Sequence, residues 1–319
     1  MKNKAVILCF TILCVILLCN ACSWVNDDLS DCPTGCWIKL SYTYNMLNVD
    51  AATKQVKDAT IFIFDRDNKC IARQEIDSLV LHQNDSCMVK LPPLPAGEYT
   101  FLVWAGLADA NYQYTPSALL LLRNEVGEQA NRISGLFHGR LDNVQISDEY
   151  SVFEIPLVKN TNSLSCILQS QSNTLLDANE FTLKLTSCNG LMNHQNHPCD
   201  SIPTCYLPYF QETVEMEGLQ VVHMGMNTLR LMEKDDTQLT LCHNSSGCQI
   251  FNIPLSQYLL LSQQAHAATM TAQEYLDRQD QYNLIFFLTS TPDPLKPYVC
   301  LSMQVNNWMV RMSEVDLKN

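Results

Sequence analysis

The chain has 319 residues, with 33 acidic against 20 basic side chains and a formal net charge of −13 at pH 7. A surface of this sign is not drawn to nucleic acid or to anionic lipid headgroups, so electrostatics excludes both as partners. Hydrophobic residues make up 47% of the chain, enough for real cores, and the length allows two domains.

The N-terminus predicts a lipoprotein signal over residues 1–21. Two lysines precede an apolar stretch over residues 5–18, and the small residue Ala21 stands directly before Cys22. This order is typical of a bacterial export signal, and the apolar stretch is shorter than the roughly 20 residues of a membrane-spanning helix. We expect lipidation of Cys22, whose several acyl chains would hold the mature protein firmly in a membrane.

Two alternatives to lipidation stay open. Cys19 stands where lipoprotein signals usually have leucine three residues before the lipidated cysteine, although Leu18 is next to it. The segment could therefore be an ordinary cleaved signal peptide with a chance cysteine, or an uncleaved anchor.

Residues 22–36 predict an acidic tether, and residues 37–158 predict an N-terminal β-sandwich domain. Its strands are expected at residues 38–44, 59–65, 70–76, 87–91, 99–104 and 150–158. Residues 117–122 read as a short helical piece, and residues 136–139 lie in a stretch without regular pattern. The polar run 159–162 predicts the domain boundary.

Residues 159–319 predict a C-terminal β-sandwich domain. Its strands are expected at residues 164–168, 180–186, 220–224, 227–232, 238–242, 249–253, 282–289, 298–305 and 308–312. Two helices are expected at residues 255–268 and 271–279, the second with Thr271 as N-cap and Glu274 three residues later. Many short strands and few helices predict a mostly β fold of two β-sandwich domains in tandem.

The cysteines favour disulfides over metal binding. The chain has 15 cysteines, and an exported protein meets an oxidising compartment. Candidate pairs flank short turns: Cys32 with Cys36, Cys199 with Cys205, and Cys242 with Cys248. The polar loop that holds Cys188, His194, His197, Cys199 and Cys205 has no spacing that matches a zinc site.

No arrangement of residues predicts an enzyme, a cofactor or a metal site. Glu274, Asp277 and Asp280 lie three residues apart and share a helix face, which we interpret as solvated rather than catalytic. His138 is interpreted as a packed or capping histidine. Known nucleophile, phosphate-binding, zinc-protease and dinucleotide motifs are not found in the sequence.

Several segments, in order along the chain, together resemble the fimbrial anchor lipoproteins of Bacteroidales, which include the anchors of the major and minor fimbriae. The segments are residues 27–33, 42–45, 56–65, 94–101, 104–106, 136–139, 157–162 and 274–287, and the closing Val305-Asn306-Asn307-Trp308. Residues 190–215 match no part of the family's pattern.

The resemblance implies two transthyretin-like β-sandwich domains on an outer-membrane lipid anchor, exposed at the cell surface. It also implies a non-enzymatic protein that anchors or caps a fimbria and contacts shaft or accessory pilin subunits through strand addition to a sheet. The terminal strands 298–305 and 308–312 would suit such pairing, although pairing within the chain is the arrangement that we expect first.

A second reading is a lipid-anchored adhesin or glycan-binding module outside any fimbria. Its support in the sequence is the pair Tyr112 and Tyr114, which we expect at a loop tip. A surface hydrolase that uses Glu274, Asp277 and Asp280 is a third reading.

Overall fold

The computed structural model describes residues 35–81, 87–108, 110–172, 174–263 and 267–311. The fold is mostly β, with several sheets and a few short helices, so the predicted fold class is confirmed. Cys22, Cys32, the signal segment and nearly all of the acidic tether lie outside the described residues. Within these ranges, every helix is too short or too polar to cross a membrane.

The first half contains ten strands among the described residues. They are β1 (Cys36–Ser41), β2 (Ala59–Asp65), β3 (Cys70–Ile76), β4 (Met88–Lys90), β5 (Gly97–Ala105), β6 (Tyr112–Tyr114), β7 (Ala118–Leu121), β8 (Glu128–Gln129), β9 (Phe137–Ile146) and β10 (Ser151–Lys159). Two short helices, α1 (Ala52–Gln55) and α2 (Ser78–Leu81), lie between them.

The second half contains eleven strands among the described residues. They are β11 (Thr161–Ser170), β12 (Phe181–Ser187), β13 (Leu191–Asn193), β14 (Thr204–Tyr206), β15 (Phe210–Met216), β16 (Leu219–Leu229), β17 (Gln238–His243), β18 (Gln249–Pro254), β19 (Gln281–Ser290), β20 (Tyr298–Val305) and β21 (Trp308–Arg311). The helices are α3 (Leu255–Leu261) and α4 (Ala272–Arg278), with a 3₁₀ turn at Ala178–Glu180.

A seven-stranded sheet in the order β3-β2-β5-β9-β10-β1-β4 forms the first sandwich. Ile38 of β1 and Ile61 of β2 lie in one hydrophobic core although three strands separate β1 from β2 within the sheet. The two parts of the sheet therefore face each other across this core. The strands β9 and β10 join them through a short antiparallel contact of three residue pairs.

The second sandwich packs a six-stranded sheet against a five-stranded sheet. Their orders are β15-β16-β11-β19-β20-β21 and β18-β17-β12-β14-β8. Phe286 of the first sheet stacks on Phe251 of the second, with ring centroids 4.6 Å apart. Both rings are fully buried, so they mark the centre of the interface between the two sheets.

The strands β2 and β5 contribute side chains to both cores. Phe101 and Val103 point into the core of the first sandwich, whereas Leu102 and Trp104 belong to the core that also holds Phe286. A strand that is buried on both faces reads as a continuous apolar run, as residues 99–105 do. The two cores are therefore joined through β2 and β5 of the seven-stranded sheet.

Two short strands between residues 118 and 129 pair with strands from the second half of the chain. The strand β7 pairs with β13, and β8 pairs in parallel with β14. The strands β10 and β11 are separated by a single residue, Asn160. The domain boundary predicted at residues 159–162 stays a prediction.

Two local expectations were wrong. Residues 117–122 contain the strand β7 rather than a helical piece, because Leu119 and Leu121 are buried with period two. The stretch around residues 136–139 opens β9, which pairs with β5 over most of its length. Gly139 allows this pairing strand to pass close to Ile155 and Leu157, since a Cβ there would lie 2.7 Å from each side chain.

The helix α4 begins as expected. The Thr271 side chain accepts a hydrogen bond from the Glu274 N–H at 3.2 Å, so it is the N-cap. The segments predicted as two strands at residues 220–224 and 227–232 form the single strand β16.

Gly106 is required where β5 ends. It has a φ of +83°, and a Cβ at this position would lie 1.8 Å from the carbonyl oxygen of Gly135. Gly218, in the turn between β15 and β16, has a similar φ of +79°, but a Cβ there would have no neighbouring atom within 4 Å. The two glycines share the backbone requirement and differ in the space around them.

We predict that Gly106→Ala destabilises the fold far more than Gly218→Ala does. Both substitutions put a side chain in the left-handed region, at a cost of about 1–2 kcal/mol, and only Gly106→Ala also forces two backbone segments apart, for a total above about 3 kcal/mol. Urea unfolding of the two variants measures the difference. Equal losses would show that the contact between residues 106 and 135 does not constrain the fold.

Candidate assembly surface

The hairpin of β20 and β21 forms one edge of the six-stranded sheet. Its two-residue turn is Asn306-Asn307, and Asn306 has a positive φ of 53°. The Asn306 N–H donates to the carbonyl of Asn283 at 2.7 Å, and the Asn283 N–H donates to the Asn306 side-chain oxygen at 3.0 Å. The turn is therefore fixed to β19, which gives the closing Val305-Asn306-Asn307-Trp308 segment its structural role.

The outer side of β21, called its free side below, carries backbone groups that pair with no described strand. In a two-residue hairpin the residues that flank the turn, here Val305 and Trp308, form a hydrogen-bonded pair, and the next pair, Gln304 and Met309, does not. The N–H and C=O of Met309 consequently point away from β20. Among the described residues, no strand pairs with this side of β21.

The side chains of β21 are largely apolar and exposed. Trp308 is 48% exposed and Met309 is 54% exposed, while Val310 packs into the core. The expectation that the terminal strands pair within the chain is confirmed for β20 and for one side of β21. Within the described ranges, the other side of β21 has no paired strand.

Two other sheet edges, β15 and β3, carry charged side chains. The edge strand β15 exposes Glu212 and Glu215, and the edge strand β3 exposes Arg73 and Glu75. Charged side chains on an edge oppose the addition of another strand. The strand β21 has no carboxylate, and its one charged residue, Arg311, is the last residue of the strand. Of these three edges, β21 is therefore the candidate assembly surface.

The acidic residues in the helix α4 and just after it are not a solvated face. Asp277 is buried, and it forms a bidentate ion pair with Arg230, at 2.7 Å to Nε and 2.8 Å to Nη2. Asp280 pairs with Lys159, and Glu274 pairs with Arg278 at 2.9 Å. The prediction of a solvated face was wrong because two cations from elsewhere in the chain cover it.

Arg230 was missed in the sequence because a lone arginine at the end of an apolar strand gives no signal. Besides Asp277 it contacts the carbonyl oxygen of Asn196, and the Asn196 side chain bonds that of Asn160 at 3.1 Å. The ion pair thereby joins α4, the loop around residue 196 and the junction between β10 and β11. Removal of one partner from such a buried pair lowers the free energy of unfolding by about 3–5 kcal/mol. Asp277 therefore has a structural role.

The cysteine and histidine residues of the loop 188–206 do not converge. In the described parts of the chain, no group of histidine, cysteine and carboxylate side chains could hold a metal ion. The ten described cysteines are all free thiols, so the disulfides predicted for Cys199 with Cys205 and for Cys242 with Cys248 are not formed. Burial raises the pKa of the Cys36 and Cys87 thiols to about 11, which keeps both protonated and unreactive.

His138 packs as expected, in a position that the sequence did not reveal. It lies opposite Trp104 in the pairing of β5 and β9, with ring centroids 4.7 Å apart, and its Nε2–H donates to the carbonyl of His194 at 3.1 Å. Burial lowers the pKa of His138 to about 4, with further lowering by the charge of Arg230, so the imidazole is neutral at pH 7.

The aromatic pair expected at a loop tip is not exposed. Tyr112 is buried in the core, and the ring of Tyr114 lies under the Arg73 guanidinium, 4.9 Å from its carbon. The Tyr114 hydroxyl accepts a hydrogen bond from Arg73 at 3.0 Å. These two tyrosines therefore do not form an open platform for a sugar.

Comparison with known families gives a match over nearly the whole chain. The model of the family described as "Fimbrillin-A associated anchor proteins Mfa1 and Mfa2" matches residues 29–314. The minor fimbrium anchoring subunit Mfa2 of Porphyromonas gingivalis is 20% identical over 309 residues, which cover 92% of this chain and 90% of that protein.

Solved structures share the fold. A candidate adhesin from Bacteroides thetaiotaomicron has a TM-score of 0.76 at 28% identity. The match covers 89% of this chain and 100% of the adhesin chain. The fimbrial anchor protein Mfa2 from Porphyromonas gingivalis has a TM-score of 0.68 at 18% identity. The match covers 88% of this chain and 100% of the Mfa2 chain.

We predict that the neutral state of His138 makes stability depend on pH. Above pH 6.5 the histidine is neutral in the folded and unfolded chain. As the pH falls from 6.5 to about 4 the unfolded chain binds a proton that the folded chain excludes, so stability falls by about 3 kcal/mol. Urea unfolding between pH 7.5 and 4 measures this loss of stability. The variant His138→Phe, whose side chain at position 138 cannot titrate, should lose less stability over the same interval. Parallel profiles for the two proteins would contradict the prediction.

Proposed function

Because the chain belongs to the family of fimbrillin-A associated anchor proteins Mfa1 and Mfa2, we propose that it is the anchoring subunit of a fimbrium. Lipids on Cys22 hold it in the outer membrane, residues 22–36 space the folded part from the membrane, and the domains 37–158 and 159–319 face the outside. The protein is not an enzyme. Its partner is a shaft or accessory fimbrial subunit.

The observation that carries the subunit contact is the free side of β21. Strand addition supplies affinity through main-chain hydrogen bonds and register through alternate side chains. The exposed Trp308 and Met309 provide apolar contacts for the added strand, and the turn fixed to Asn283 holds β21 in place beforehand. A rigid edge loses little conformational entropy on binding.

The alternative of a surface adhesin has less support in this chain. The family relatives include a candidate adhesin, but the tyrosine pair that favoured a glycan platform is covered by Arg73 and by the core. The reading as a hydrolase has no support in this chain, since Asp277 of α4 and Asp280 after the helix are both held in ion pairs.

We predict that Met309→Pro abolishes binding of the fimbrial subunit and leaves the fold intact. Proline removes the N–H of residue 309, which points outward and makes no bond within the hairpin, and proline is tolerated at such edge positions. The unfolding free energy should change by less than about 1 kcal/mol. Co-purification of the fimbrial subunit with the lipoprotein from cells measures the binding.

Two further proline variants serve as controls. Val310→Pro removes an N–H that bonds β20, so this variant should lose stability as well as binding. Glu215→Pro changes an outward-pointing N–H on the opposite edge strand β15 and should assemble normally. Normal assembly of Met309→Pro together with failure of Glu215→Pro would show that the fimbrial subunit contacts β15 and not β21.

We predict that Cys22→Ala releases the protein from the outer membrane. Without acyl chains the acidic mature surface has no attraction to a membrane. Fractionation of cells that carry either form measures how much of the protein stays with the outer membrane. The intact mass of the N-terminal peptide of the unchanged protein measures whether Cys22 carries lipid. An unmodified N-terminus on a soluble protein would remove the anchor from this proposal and favour a secreted binding protein.

A further inference from the structure

The outer face of the six-stranded sheet, which points away from the core, carries large apolar side chains at its centre. Ile167 of β11 pairs with Ile285 of β19, and Phe287 follows on the same face. All three are half-buried, and none belongs to either hydrophobic core. The outer face of the five-stranded sheet instead carries polar side chains along β12, namely Thr182, Lys184 and Thr186. A solvated sheet face is usually polar, so the apolar centre indicates a contact surface.

The pairing register arranges this face in rows that cross the sheet from β15 to β21. One row contains Glu212, His223, Ile167, Ile285, Gln304 and Met309. The next row contains Val214, Val221, Gln169, Phe287, Ser302 and Arg311. In these two rows Glu212 is the one carboxylate and Arg311 is the one guanidinium, so charge is confined to the two edges of the face.

Several polar side chains of the face already have partners within the chain. The Ser165 hydroxyl lies 3.0 Å from Nε2 of His223, and the ring of Phe210 packs on the His223 ring with centroids 4.9 Å apart. The Gln304 side-chain amide donates to the carbonyl of Asn306 at 2.8 Å. Burial of hydrogen-bonded groups against another surface is less unfavourable than burial of unpaired ones.

The two charged residues at the edges cannot pair within one chain. Glu212 is on β15 and Arg311 is on β21, the outermost of the six strands, and at about 4.8 Å between strands they lie roughly 24 Å apart. Both are exposed, and neither forms an ion pair with a described residue. Opposite charges at opposite edges make the face complementary to a second copy of itself.

We propose that this face packs on the same face of a second copy of the chain, around a two-fold axis that runs along the strands between β11 and β19. Ile167 of each copy then lies over Ile285 of the other. Glu212 of each copy lies over β21 of the other and reaches Arg311, since neighbouring rows are only about 7 Å apart. A half-turn about an axis across the strands would instead place β15 over β15 and bring like charges together, which disfavours that arrangement.

The face is large enough for such a dimer. With about 4.8 Å between strands and about 3.3 Å per residue, six strands over the length of residues 283–289 measure roughly 29 Å by 20 Å. Two copies would bury roughly 1,200 Å² in total, the lower end of the range for specific interfaces. The contact uses side chains above the sheet rather than the backbone edge of β21, so it does not rest on the proposed anchor function.

Sedimentation equilibrium of the soluble form that begins at Ser23 tests the proposal, because this form keeps every described residue and needs neither lipid nor a fimbrial subunit. We expect a dimer at micromolar concentrations. Ile167→Glu places a carboxylate against Ile285 of the second copy and should weaken the dimer at least tenfold. The matched control Thr186→Glu lies on the outer face of the five-stranded sheet and should leave the dimer unchanged. Urea unfolding shows whether each variant is folded.

The charge reversals Glu212→Arg and Arg311→Glu test the two-fold arrangement at exposed positions, where the fold is not at risk. Each reversal alone brings like charges together at both edges of the interface and should weaken the dimer at least tenfold. The two reversals in one chain restore opposite charges between the copies, so the double variant should regain most of the lost affinity. Because the two residues cannot meet within one chain, this recovery reports a contact between copies.

Three results would overturn the proposal. A monomer at every concentration would leave the face to a different protein. A dimer that Ile167→Glu leaves unchanged, or that Thr186→Glu weakens equally, would have its contact elsewhere. Weakening by both single charge reversals without recovery in the double variant would exclude the two-fold arrangement.

Discussion

The double burial of β5 is the constraint on which the rest of the structure depends. Phe101 and Val103 fill the core of the first sandwich while Leu102 and Trp104 fill the core shared with the second. Each burial of a large apolar side chain contributes about 1.5–3 kcal/mol, so both faces of the strand are strongly held. The register of β5 against β2 and β9 is therefore fixed, since a shift by one residue would exchange its two faces.

The position of β9 against β5 then places the polar contacts at the junction of the two halves. His138 stands beside Trp104 and bonds the carbonyl of His194. Close by in the chain, β10 leads through Asn160 into β11, and Asn160 bonds Asn196, which also contacts Arg230. The ion pair of Arg230 with Asp277 extends this arrangement to α4, so a buried network replaces a flexible linker between the halves.

These arrangements hold several charged and titratable groups within the fold. The carboxylates of α4 are paired, the described thiols are free and the most buried of them are held protonated, and the histidine at the junction is neutral. The outer edge of β21 pairs with no described strand, and the hydrogen-bonded loop at residues 42–51 lies beside a cavity. Such surfaces suit an assembly protein, whose work is to present backbone and side-chain contacts to other chains.

The sequence by itself determined the mostly β class, most of the longer strands and the Thr271 cap, because period-two alternation and capping chemistry are local signals. It also carried the family resemblance through short segments that include Val305-Asn306-Asn307-Trp308. Only the tertiary structure decided that β7 and β8 pair with the second half, that Arg230 covers Asp277 and that Tyr112 is buried. These contacts join residues far apart in the chain, and no local pattern encodes the partner that a distant segment will meet.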